Sequence, residues 1–262
     1  MDGFTAKLGA MELTLVTGSA GRVGKAVCAE LVRRGLPVRG FDRVPTPDLP
    51  DAAVGDITHA PDVRRALDGV TTLIHLAAVP DDVENVLGEL LPVNINGLYQ
   101  VMEAARAQGV RRYILASSGQ VNWWSNQSGP WPIGAEDPVS PKYWYAATKM
   151  FMEAIGRGFS EMHGASVMIA RLGWCPRTKE QVAEIAASAW AQDVYLSPGD
   201  AGRFFADCVQ AQLSPRCSIL YATSRPLRTL LYDLESTRKE IGWEPLEKWP
   251  QGTDIVLNNS PR

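Results

Sequence analysis

The sequence predicts an α/β protein built on a doubly wound parallel sheet, and three observations carry that expectation. Short apolar runs that read as buried strands alternate with stretches of helical periodicity, from Leu13 to Ile241. The first strand feeds directly into Thr17-Gly18-Ser19-Ala20-Gly21-Arg22-Val23-Gly24, a glycine-rich turn that opens onto a helix. A strand, three glycines and a helix are the parts that lay a pyrophosphate on a helix N-terminus. The bulk numbers agree: 262 residues, 45% hydrophobic and 21% charged, suit one large soluble domain that buries its own core.

The elements follow in order. Leu13 to Val16 is the first strand, and the helix from Arg22 to Arg34 places Val23, Ala26, Val27, Glu30 and Leu31 at helical spacing. Gly35 and Pro37 punctuate, and Val38 to Asp42 is a second strand ending in an acid. A proline-rich loop leads through Val54-Gly55-Asp56-Ile57 to a short helix near Asp62–Leu67, and Thr72 to Ala78 reads as a strand buried on both faces. A long helical region is expected from about Val83 to Gln108, with Asn94 inside it. Arg111 to Ala116 forms the fourth strand, ending in Ser117-Ser118, and Gly119 to Pro141 is a loop of low periodicity. Helix resumes from about Lys142 to His163, and Ser166 to Leu172 is a fifth strand. Helices near Glu180–Ala191 and Gly199–Gln212, a strand at Ile219–Ala222 and a helix at Asp233–Ile241 complete the chain.

Composition excludes several function classes. The net charge is −3 with no long run of one sign, so no nucleic-acid footprint is expected. No apolar stretch approaches the roughly 20 residues of a membrane helix. The four cysteines and three histidines are scattered without ligand spacing, so no metal site is expected. Free thiols suit a reducing cytosol, and a cytoplasmic location is the expectation. Residues 1–10, polar and small, read as a flexible extension without the apolar core of a signal peptide.

Three places could carry chemistry. Asp42 ends the second strand, where a dinucleotide fold places the acid that binds the adenosine ribose hydroxyls. A carboxylate there favours NAD over NADP, although the adjacent Arg43 could soften the preference. Tyr145 and Lys149 share one helix face, and an ammonium beside a phenol favours the phenolate. Ser118, at a strand's carboxyl end, could exchange a hydrogen bond with a reacting oxygen. The tryptophans 123, 124, 144 and 174 flank this region. Trp174 is expected at the pocket, Trp243 in packing, and His75 as a satisfied core histidine.

Taken together, Thr17-Gly-x-x-Gly-x-x-Gly24, Asp42, Gly55-Asp56-Ile57, His75-Leu-Ala-Ala78, Asn94, Ser117-Ser118, Tyr145-x-x-x-Lys149 and Arg171-Leu-Gly resemble an extended short-chain dehydrogenase/reductase. Within that family, Asn94 to Arg106 and Gly242-Trp243-x-Pro245 are similar to the uronate dehydrogenases, which oxidise C1 of a hexuronic acid with NAD. The resemblance implies a Rossmann-type sheet over residues 11–173 and a small C-terminal substrate-binding lobe over 174–262. It implies that Gly18, Gly21 and Gly24, with Ala20, Arg22 and Val23, hold the pyrophosphate of NAD. Asp42 and Arg43 would meet the adenosine ribose, Asp56 and Ile57 the adenine, while Leu76, Ala77 and Ala78 line the groove. Tyr145 would be the general base, Lys149 would bind the nicotinamide ribose and lower the tyrosine pKa, Ser118 would position the substrate oxygen, and Asn94 would support the site. Pro80, Gly119, Gln120, Trp174 and Arg177 would form the substrate side, and a homodimer or higher homo-oligomer would form through the two long helices.

The substrate side departs from the uronate pattern. Ser117-Ser118-Gly119-Gln120 stands where those enzymes carry Ser-Ser-Asn-His, Trp174 replaces a small serine, and Pro80 replaces another. The carboxylate-clamping arginine has no counterpart between Thr178 and Trp190, where the nearby Arg177 and Lys179 are the candidates to substitute for it. The leading expectation is hydride transfer from a lactol or secondary alcohol to NAD. The alternatives are an epimerase or dehydratase that retains its NAD, for which the short C-terminal segment leaves little room, and a non-catalytic sensor, against which the intact Tyr145/Lys149 pair argues.

Overall fold

A computed structural model describes residues 12–254. The extension expected over residues 1–10 lies outside them. Seven strands form one parallel sheet: β1 (Leu13–Thr17), β2 (Val38–Asp42), β3 (Ala52–Val54), β4 (Val70–His75), β5 (Arg112–Ser118), β6 (Ser166–Leu172) and β7 (Cys217–Ala222). Their spatial order is β3-β2-β1-β4-β5-β6-β7. The order reverses between β1 and β4, and such a switch point opens a crevice at the carboxyl ends of the strands.

Strand alternation explains the two-sided core. Val16, Ile74, Ile114, Met168 and Leu220 face one side, where they meet Val27 and Leu31 of α1 (Arg22–Arg33) and Phe204 and Phe205 of the Pro198–Gln210 helix. Leu15, Leu73, Leu115, Val167 and Ile169 face the other, against α2 (Ala60–Ala66), α3 (Leu98–Ala107) and α5 (Trp144–His163). Burial on both faces accounts for the near-continuous apolar runs, and each buried aliphatic side chain contributes about 1.5–3 kcal/mol.

The structure differs from the sequence expectation in five places. The helical region 83–108 is regular only in α3. Ahead of it, Val86–Leu90 and Pro92–Gly97 wind as π-helical turns, with Pro92 at the start of the second. The strand expected to reach Ala78 ends at His75; Leu76 N–H still donates to Thr17 O at 3.2 Å before the chain leaves the sheet. Ala52–Val54, read as loop, is the edge strand β3, paired through Gly40, Phe41 and Asp42. Gly119–Asn122 and α4 (Trp123–Ser128) are helical within the expected loop. The helix expected over 180–191 is two, α6 (Lys179–Ala186) and α7 (Ala189–Asp193), because Ser188 turns out of helix and caps the second through Ala191 N–H.

The segment after Gly173 shares the main core. It supplies β7, α8 (Pro198–Gln210) and α9 (Leu234–Ile241), and Trp243 is buried edge-on against Phe204. Gly202 of α8 lies so near α1 that a Cβ would fall 2.7 Å from Ala26 O. On the other side of α1, a Cβ on Gly24 would fall 2.1 Å from Gly18 O. Both obstacles are backbone, which has little freedom to yield. Gly24→Ala is therefore expected to lower stability by at least about 1–3 kcal/mol, the usual cost of overpacking, read as a drop in thermal midpoint.

Candidate active site

The nucleotide end of the crevice is made of backbone. Gly18 ends β1 with φ +72°, and its N–H donates to Phe41 O at 2.8 Å. A Cβ there would lie 2.8 Å from Ala77 N, so only glycine fits between the glycine turn and the chain leaving β4. Helix α1 starts after Gly21 with no side-chain cap and no acid in its first turn. Its leading N–H groups therefore remain available to an anion, aided by the positive end of the helix dipole. Asp42 stands beside the turn: one carboxylate oxygen accepts from Ala20 N–H at 3.0 Å, the other from Val44 N–H at 3.3 Å. Glycines 18 and 24, which no Cβ can replace, an uncapped helix and an adjacent acid fit a dinucleotide.

The remaining nucleotide-side candidates sort by contact. Asp56 accepts from both the N–H and the hydroxyl of Thr58 at 2.8 Å, and Ile57 is buried against Gly97. Arg43 is exposed, while Leu76, Ala77 and Ala78 follow β4 along the crevice. Ala77 N–H donates to Thr17 Oγ1 at 3.3 Å. The Arg22 guanidinium donates to Pro176 O and, at 2.8 Å, to Gly252 O, and its Nε is buried without a partner among the described residues.

The catalytic end is made of side chains. Tyr145 and Lys149 lie one turn apart on α5, both buried, facing the end of β5. The Tyr145 hydroxyl faces Ser118, which favours its ionised form, and the Ser118 Oγ accepts from Gln120 N–H at 3.2 Å. Lys149 Nζ donates to Ala116 O at 2.8 Å and lies 5.6 Å from the centre of the Tyr145 ring. Burial pushes the Tyr145 phenol up to about 12, against the opposing pull of the Arg177 guanidinium and of Ser118, while Asp81 and Asp82 add to the rise. Arg177 lowers the phenol here, and Lys149 stands beside its ring. Burial lowers Lys149 itself to about 8. Burial, and then the Lys149 charge, depress His75 to about 3, and its Nδ1 pairs with Thr17 Oγ1 at 2.9 Å. A neutral, partnered His75 is the core histidine expected.

Two supports come from distant sequence. Helix α5 has no side-chain cap of its own at Tyr143. Asp82, in the loop after β4, instead accepts from Tyr145 N–H at 2.7 Å and puts a carboxylate at the helix N-terminus. The missing local cap was the only sequence signal that such a partner must exist. Asn94 spends its amide on Val79 O and Thr148 Oγ1, both at 3.1 Å, while its carbonyl takes Val79 N–H at 2.8 Å. It braces the loop after β4 to α5 with every polar atom engaged.

On the substrate side, Arg177 crosses the crevice mouth, donating to Pro80 O and pairing with Asp81, each at 3.0 Å. Gly119 lies under the Tyr232 hydroxyl, which a Cβ would meet at 2.3 Å, and Gln120 is half-buried beside Ser118. Trp174 is half-buried, its backbone laddered to Val194 and Leu196, and it packs, as Trp190 does, against the cluster of Ile185, Ala191 and Tyr195. Trp190 meets Trp123 edge-on at 5.7 Å, and Trp123 meets Tyr143 at 5.6 Å. Lys142 Nζ lies 4.6 Å from the Tyr143 ring and 5.0 Å from that of Trp123. Trp124 and Trp144 are exposed.

Fold and site together define an enzyme that works with a nicotinamide dinucleotide. Residues 14–175 match the model of the NAD dependent epimerase/dehydratase family. The chain is 29% identical over 246 residues to an L-arabinose 1-dehydrogenase (NAD(P)(+)) of Haloferax volcanii, covering 88% of this chain and 94% of the relative. It is 30% identical over 163 residues to a uronate dehydrogenase of Pseudomonas syringae, covering 61% and 58%. A solved structure of a mutated uronate dehydrogenase superposes with a TM-score of 0.72 at 26% identity, covering 91% of this chain and 83% of the other. The chain belongs to the NAD dependent epimerase/dehydratase family, is an NAD-dependent dehydrogenase of the extended short-chain type, and has NAD as its cofactor.

Removing the Arg177 charge destabilises the phenolate and raises the Tyr145 pKa. Arg177→Met is expected to move the acidic limb of the kcat/KM–pH profile to higher pH and to reduce activity at pH 7. An unmoved limb would separate Arg177 from the titration of Tyr145.

Proposed function

We propose that the protein oxidises a sugar-like lactol at C1 to the lactone, with a neutral aldose favoured over a uronate and with other secondary alcohols as the wider class. The observation that carries the reading is the buried Tyr145 phenol, facing Ser118, beside Lys149 and in one crevice with an uncapped helix suited to a pyrophosphate. Bound NAD supplies the acceptor for the hydride that leaves the carbinol carbon. Tyr145 takes the hydroxyl proton as the C=O bond forms. Ser118 holds that oxygen, and Lys149 keeps a positive charge beside the ring as the phenolate forms. The high phenol pKa makes Tyr145 a strong base once ionised, and a minor fraction at neutral pH, so oxidation should quicken as pH rises.

The aldose preference rests on Arg177. A uronate carboxylate asks for a cation, whereas this guanidinium is already spent on Asp81 and Pro80 O. Similarity to the L-arabinose enzyme over nearly the whole chain supports the same choice. A homodimer through α3 and α5, whose surfaces expose Tyr99 and Phe151, completes the proposal.

NADH production measured over aldoses, uronic acids and secondary alcohols tests the reaction. Net NADH release is expected, where an NAD-retaining epimerase would release none. Tyr145→Phe should cost about 10²–10⁴-fold in kcat, the usual contribution of a general base. Wild-type turnover in that variant would refute the assignment of the base. Asp42→Ser should narrow the preference for NAD over NADP by removing the carboxylate that repels an extra phosphate, read as the ratio of kcat/KM values.

A further inference from the structure

Helix α5 is fastened to the end of β5 at three successive residues of the strand. Tyr145, Lys149 and Glu153 recur every four residues on one face of the helix. They meet the Ser118 hydroxyl, the Ala116 carbonyl and the Ser117 hydroxyl respectively. The first two contacts belong to the reaction proposed above. The third does not, and its chemistry is unusual for a core. Glu153 is buried, accepts from Ser117 Oγ at 2.5 Å, and is gripped by Arg171 through Nε at 3.0 Å and Nη2 at 2.8 Å. Arg171 sits on β6 directly opposite Ser117 in the strand register. One carboxylate thus reads the position of two adjacent strands at once.

The same arginine extends the network toward the substrate side. Its Nη1 donates to Tyr221 Oη at 2.8 Å and to Asn122 Oδ1 at 3.3 Å. Asn122 follows Ser118 by one 3-10 turn, and its amide holds Pro138 O at 3.2 Å. Tyr221 stacks on Tyr232 with ring centres 4.6 Å apart, and Asn126 joins the Tyr232 hydroxyl to Gly119 O at 2.8 and 3.1 Å. The helix carrying the base and the segment carrying Ser118, Gly119 and Gln120 are therefore tied to a single ion pair.

A buried ion pair is a weak source of stability, because desolvating both charges offsets most of their attraction. What it does supply is direction: a bidentate guanidinium fixes a carboxylate in angle as well as distance. We infer that Glu153 and Arg171, acting through Ser117, are positioning residues that set the register of α5 on β5 and so aim Tyr145 at Ser118. Direct electrostatic influence on the base is small, since two helical turns put Glu153 about 12 Å from Tyr145 and its charge is neutralised by Arg171. Geometry is the remaining route, and a displacement of about 1 Å at a reacting centre can cost about 10²-fold in rate.

The inference rests on the reaction proposed above, and Ser117→Ala tests it with the least disturbance, removing one hydroxyl while leaving the ion pair in place. With an aldose that yields NADH, this variant is expected to lose about tenfold in kcat while KM for NAD stays within about twofold. As Ser118 drifts from the phenol, the acidic limb of kcat/KM should move up by about half a pH unit. Glu153→Gln should show both effects more strongly, and Ser117→Thr, which restores a hydroxyl, should recover most of kcat. If Ser117→Ala lowers only the thermal midpoint, with kcat and the pH limb unchanged, the pair is structural and the inference falls. Tyr145→Phe in the same assay separates the two levels. Its loss of turnover beside an unaffected Ser117→Ala overturns the positioning role alone, whereas absence of NADH from every substrate in the wild type overturns both.

Discussion

The close approach of α1 to the end of β1 is the constraint on which the crevice depends. Gly24 touches the Gly18 carbonyl on one side of the helix, and Gly202 touches the Ala26 carbonyl on the other. Held between two bare-backbone contacts, α1 has one position relative to the sheet, and its uncapped N-terminus is aimed at the switch point. Gly18 is in turn pressed against Ala77, which fixes where the chain leaves β4. Asp42 then falls beside the turn because β2 pairs with β1 in register, Thr17 opposite Phe41.

The two ends of the site are built from different materials. The glycine-turn end consists of peptide groups, whose placement follows from secondary structure alone. A proton transfer needs side chains at fixed separations, and here α5 is pinned at its first turn by Asp82, along its face by β5, and from the side by Asn94 through Thr148. Burial does the electrostatic work. It raises the Tyr145 phenol, lowers the Lys149 ammonium and keeps His75 neutral, so the pocket discourages every charge except those its partners compensate.

Much of this was legible in the sequence because it is local. Glycine spacing, an acid at the end of a strand and a tyrosine and lysine one turn apart are all short-range patterns, and parallel strands buried on both faces announce themselves as apolar runs. What escaped is long-range. Ala52–Val54 is too short and too exposed to show as a strand and exists only because β2 offers it an edge. The π-helical turns before α3 kept helical periodicity while hiding that Asn94 faces inward toward Val79 and Thr148. Asp82 lies 63 residues from the helix it caps, and Arg177 finds Asp81 across 96 residues; no window of sequence contains either pair. The carbonyls that Arg22 meets, Pro176 O and Gly252 O, lie 154 and 230 residues away and are brought near only by the fold.

That arginine gives the first turn of α1 a mechanical connection to the far end of the described chain. One guanidinium spans Pro176, in the segment leaving β6, and Gly252, whose neighbour Gln251 takes the Tyr195 hydroxyl at 2.6 Å. A displacement at Gly252 therefore has a route to the glycine turn at the start of α1 that does not run through the sheet.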